Sequence, residues 1–60
     1  MTPEEAAEFE HNIVRRELKH GYSIKCKRGL WSVWAPGQAA AEGQAKLYFI
    51  QFLEDGEYHD

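Results

Sequence analysis

Residues 22–35, YSIKCKRGLWSVWA, hold two short apolar-rich runs on either side of Arg28-Gly29. Tyr22 to Lys27 alternates apolar and polar side chains, the period of a strand with one buried face. Leu30 to Ala35 is rich in aromatic and branched residues. Glycine accepts the positive φ of a tight turn, so the stretch predicts an antiparallel hairpin folded about Arg28-Gly29, with a longer, bulged turn as the alternative. In that register Lys27 faces Leu30, Cys26 faces Trp31 and Lys25 faces Ser32. Ile24 faces Val33, Ser23 faces Trp34 and Tyr22 faces Ala35. Cross-strand partners point to the same side. One face then collects Tyr22, Ile24, Cys26, Trp31, Val33 and Ala35, and this is the core. The other collects Ser23, Lys25, Lys27, Leu30, Ser32 and Trp34. A slip of one residue would mix the two sets, so the pattern itself selects the register.

Outward from the hairpin, the N-terminal flank reads as a helix over about residues 3–20. Thr2 is placed to cap it, Pro3 suits its first position, and Glu5 completes a capping box. Glu4, Glu5 and Glu8 lie towards the positive end of the helix dipole, and Arg15, Arg16, Lys19 and His20 towards the negative end. Ala6, Phe9, Ile13, Val14 and Leu18 form an apolar stripe that would cover the hairpin's core face, and Gly21 is the expected stop. Beyond the hairpin, Ala35-Pro36-Gly37 redirects the chain into a second helix over about residues 38–55. Gly43 weakens that helix by about 1 kcal/mol relative to Ala. Gln44, Tyr48, Gln51 and Asp55 fall on one side of it at helical spacing, and Phe49, Ile50, Phe52 and Leu53 largely on another. The alternative makes Leu47–Leu53 a buried third strand. The polar tail, residues 56–60, is expected to fray. The fold class expected is α+β, one small domain in the order α-β-β-α, with a two-stranded antiparallel hairpin packed against two helices.

Sixty residues sit near the lower size limit for independent folding, where only ~60% of the unfolded chain's surface is buried. With 43% hydrophobic residues, a small core and a stability of a few kcal/mol are expected. No apolar run approaches the length of a membrane span, and an acidic N-terminus is unlike a signal peptide. The lone Cys26 has no internal disulfide partner, which suits a reducing cytoplasm. The net charge of −3 is unevenly spread. Residues 15–28 carry +5 and the remainder −8. Such polarity can serve nucleic acid, an acidic protein or internal neutralisation.

The order Tyr22-Ser23, Lys27-Arg28-Gly29, Trp31 and Pro36-Gly37 before a helix resembles small accessory proteins encoded in early regions of lambda-like temperate bacteriophages. The likeness covers roughly residues 22–54, and the acidic, capped first helix stands outside it. It implies a protein made in the cytoplasm of a bacterial host and brings no active site with it.

Catalytic patterns are absent from the chain. Ser23 and Ser32 lack a nucleophile-elbow context and a neighbouring His. His11, His20, His59 and Cys26 lack the close pairs of zinc sites, so neither metal nor cofactor is expected. Cys26 falls on the core face, where a thiol behaves as a small hydrophobe. No phosphate-binding glycine loop occurs, and so short a chain offers little room for a cleft of several hundred cubic ångströms. The chain is not expected to be an enzyme.

The outer hairpin face carries the functional expectation. A solvent-facing Trp leaves a large apolar surface uncovered. Trp34 is either covered by the second helix, paired with a second copy, or an anchor for a partner. In the last case Leu30 adds apolar surface and Lys25, Lys27 and Arg28 orient an acidic partner. The leading expectation is a small non-enzymatic binding protein, a phage-type regulator or inhibitor of a host protein. The alternatives are a nucleic-acid-binding accessory protein using Lys25, Lys27, Arg28 and Arg16, and a dimeric structural adaptor. The acidic overall charge argues for weak or no nucleic-acid binding.

Overall fold

Thr2 starts the first helix as its residue chemistry dictates. In the computed structural model, which describes residues 1–29 and 31–55, the Glu5 amide donates to Thr2 Oγ1 at 3.1 Å and the Thr2 amide donates to Glu5 Oε1 at 2.8 Å. This capping box opens α1, Pro3–Asn12. The helix stops eight residues earlier than the sequence reading places it. The Asn12 side chain donates to the Glu8 carbonyl at 2.9 Å, and β-branched Ile13 and Val14 follow in extended backbone. A partner distant in sequence takes the last carbonyls of α1. The Lys27 amide donates to the Asn12 oxygen at 2.7 Å, and Lys27 Nζ donates to the His11 oxygen at 3.0 Å.

Residues Ile13–Leu18 are therefore a strand, β1, and the predicted two-stranded hairpin is a three-stranded antiparallel sheet. A two-residue turn, Lys19-His20, leads into β2, Gly21–Cys26, and β3 is Ser32–Ala35. Gly21 thus begins a strand and does not end a helix. The sheet order is β1-β2-β3. Between β2 and β3 the predicted pairs Tyr22–Ala35, Ser23–Trp34, Ile24–Val33 and Lys25–Ser32 are all present. The ladder ends at Lys25–Ser32, and one step further in the same register the Cys26 amide donates to the Trp31 carbonyl at 3.2 Å; residues 27–31 link β2 to β3. Leu30 in that link, and the tail 56–60, lie outside the described residues.

Helix α2 spans Gln38–Asp55 as the second flank predicts, so Leu47–Leu53 is helical and not a strand. Its buried residues Ala41, Ala45, Phe49 and Phe52 lie against β2 and β3, on Ile24, Cys26 and Val33. The layer over the core face is α2 alone. α1 sits at its margin, with the Phe9 ring edge-on to Phe49 at 5.4 Å. Of the stripe assigned to one long helix, Phe9 and Ile13 are buried, whereas Ala6, Val14 and Leu18 are exposed. The order is α-β-β-β-α, with one sheet and one helix layer in a body 15 Å thick.

Candidate functional site

Each strand of the sheet has one face towards α2 and one away from it. The register sets the outward side chains in rows. Val14, Lys25 and Ser32 form one row, and Arg16, Ser23 and Trp34 the next. Leu18 stands opposite Gly21 at the end of the sheet. Nothing in the described chain covers this face: Trp34 is 58% exposed, Val14 43% and Leu18 38%. Helix α2 therefore does not cover Trp34, which settles one of the three options for that residue.

Trp34 is nonetheless held. A Cβ built on Gly21 would lie only 2.6–2.7 Å from the indole Nε1, Cε2 and Cζ2. The ring therefore leans over Gly21, against β2 backbone that no other residue type would leave bare. An indole with one side seated on backbone and the other in water is a pre-oriented apolar platform. Beside it stand two cations, Arg16 and Lys25. The outward strand positions carry no carboxylate and no imidazole.

The structure separates the predicted site residues. Lys25 and Trp34 share the outer face. Lys27 is turned to the end of α1, and the Arg28 guanidinium lies 5.7 Å from the centroid of the Phe52 ring on α2. Arg15, counted in the basic segment, is neutralised within the fold. It points to the helix side, donates to Glu10 at 2.6 and 2.9 Å and to Glu42, and lies 5.9 Å from the Phe9 ring centroid. Those hydrogen bonds from Arg15 hold the Glu10 carboxyl below its ordinary range. Burial, then the Glu42 charge, pushes the Tyr22 phenol up. The uncompensated positive charge of the outer face is thus Arg16 and Lys25. Arg16, Val14 and Leu18 gather there only once 13–18 is read as a strand. Val14 and Leu18 also stand at helical spacing, which hides their shared strand face.

At the loop end, a groove of about 570 Å³ opens between Val14, Lys25 and Ser32 and the link residues Lys27, Gly29 and Trp31. A groove of this size exceeds what the chain length led one to expect. The Trp31 indole packs against Gly29, and its buried Nε1 has no hydrogen-bond partner among the described residues. The Gly29 amide donates to Cys26 Sγ at 3.2 Å, so the buried thiol serves the link as an acceptor. No three His, Cys, Asp or Glu side chains gather as a metal site among the described residues, and no described helix is long and apolar enough to cross a membrane. This arrangement suits non-covalent recognition: an aromatic platform, two cations and hydroxyl groups on a sheet. Comparison of the chain with protein-family models, with curated proteins and with solved structures finds no match.

Proposed function

We propose that this is a non-enzymatic binding module that takes an acidic protein partner on the outer face of its sheet, and that it acts as a regulator or inhibitor of a host protein in the bacterial cytoplasm. The observation that carries the reading is the row Arg16–Ser23–Trp34, with its indole seated on Gly21 and open to solvent. An aromatic anchor beside unpaired cations is the composition of an interface centre with electrostatic orientation. The phage-like resemblance supports the host setting. Single-stranded nucleic acid is the second reading, favoured by a stacking platform flanked by cations without carboxylates. It is weakened because Lys27 and Arg28, two of the four cations it draws on, are engaged within the fold.

The test is capture from bacterial lysate with the parent chain, Trp34→Ala and Arg16→Glu/Lys25→Glu. The reading expects an acidic protein that the parent retains and both variants lose, while circular dichroism and melting temperature stay unchanged. A variant that melts early would return Trp34 to a structural role. Nuclease-sensitive capture would move the function to nucleic acid.

A further inference from the structure

The edge of β3 and one flank of α2 form a second surface, which meets the outer face at Ser32 and Trp34. β3 pairs with β2 on one side and, among the described residues, has no strand on the other. A groove of about 390 Å³ runs along that open edge, lined by consecutive residues Ser32, Val33, Trp34 and Ala35 and by Ala40, Gln44 and Tyr48 of α2. Successive strand residues point to opposite faces, so four in a row lining one groove means that it opens on the strand's backbone edge. The helix residues, spaced by four, are the flank of α2 that overhangs this edge. Leu47, on the solvent side of the same flank, is 64% exposed.

We propose that this surface receives a second copy of the chain, pairing β3 with β3 antiparallel about a two-fold axis into a continuous six-stranded sheet. Three features select a copy of this chain over another occupant. The first is spacing. α2 packs on both β2 and β3, so its axis lies about half a strand spacing inside β3. Adding one ~4.8 Å strand spacing between copies sets the two α2 axes about 10 Å apart, within the 8–10 Å at which helices pack. The second is self-complementarity. With Val33 on the axis, Ser32 of each copy stands beside Trp34 of the other, a small residue beside a large one. On the helices Gln44 meets its own copy, where two side-chain amides can exchange hydrogen bonds, and Ala40 meets Tyr48. The third is charge. None of the groove residues is ionisable as a cation or carboxylate, whereas pairing through the outer faces would press Arg16 and Lys25 of both copies together. The dimer leaves both outer faces open and brings the two Trp34 platforms onto one sheet. This inference does not rest on the partner reading.

Sedimentation and amide hydrogen exchange of the full chain test it. The mass is expected to rise to twice 7.0 kDa with concentration, and the edge-facing amides of Ser32 and Trp34 to become protected with it. Gln44 is exposed, so Gln44→Lys should keep the fold while raising the dimer dissociation constant about tenfold or more through like charges at the axis. Under oxidation Gln44→Cys should give an intermolecular disulfide, and Lys46→Cys, on the far flank of α2, should not. A monomer at millimolar concentration would overturn the inference. So would a dimer that tolerates Gln44→Lys but dissociates on Arg16→Glu, since that copy would sit on the outer face.

Discussion

At the scale of single residues, Gly21 and Arg15 show side chains and backbone dividing the work between the two faces of the sheet. Gly21→Ala places a methyl where the indole lies, and the exposed Trp34 ring is free to swing away. Alanine is otherwise well accommodated in a strand relative to glycine. The substitution is therefore expected to leave the melting temperature within a few degrees of the parent while changing the Trp34 near-ultraviolet signal and weakening partner capture. Trp31→Phe provides the background that isolates Trp34 fluorescence. On the other face, Arg15 joins Glu10 of α1 to Glu42 of α2. The folded Glu10 carboxyl lies below its ordinary value of 4.5, so its ionised form stabilises the native state above that pH. That contribution is lost as pH falls through the lower, folded value. Glu5, held down by the Thr2 amide, acts in the same direction. Acid titration of stability should thus show a decline below about pH 4.5, and Glu10→Gln should flatten part of it. An unchanged titration in that variant would show that solvent screens the pair completely.

At the scale of elements, each helix is bounded by different physics. α1 begins on its own capping box but ends on Lys27, which is brought to it by the β2–β3 link. α2 begins after Pro36-Gly37 and holds its place through Ala41, Ala45, Phe49 and Phe52. Gly43 is exposed on α2, and a Cβ there would meet nothing within 4 Å. Gly43→Ala should therefore stabilise the protein by roughly 0.5–1 kcal/mol, measured by denaturant unfolding, because it removes only backbone freedom from the unfolded chain. A loss of stability would mean that the small residue serves a contact outside the single chain. β1 is the element with the weakest local case. Its helix-side positions after Ile13 are Arg15 and Glu17, so no alternating apolar pattern announces it.

At the scale of the whole molecule, one helix layer covers one sheet face, and the face left open is the one with unpaired positive charge. Association there with an acidic partner should slow as salt rises, and Arg16→Glu/Lys25→Glu should remove most of that salt dependence. Stopped-flow rates at two ionic strengths would check it; equal slopes for parent and variant would remove the electrostatic part of the reading. The β2–β3 register, the buried set around Ile24 and Val33 and the Thr2 cap were determined by the sequence alone, whereas Leu47–Leu53 fitted a strand as well as the helix it forms. The signals that sufficed are local: a period of two, and side chains that bond their own backbone neighbours. Residues 13–18 were different. Ile13, Val14 and Leu18 satisfy helical spacing and give no clean strand alternation, so the long-range bonds from Lys27 to α1, together with pairing to β2, decide for the strand. The same long-range packing gives Arg15 two carboxylate partners, Lys27 a backbone carbonyl and Arg28 an aromatic ring, and leaves Arg16 and Lys25 on the open face beside Trp34. Sequence pattern locates charge along the chain, but only tertiary structure determines which charges have already found partners, because an ion pair or a cation–π contact depends on elements far apart in sequence.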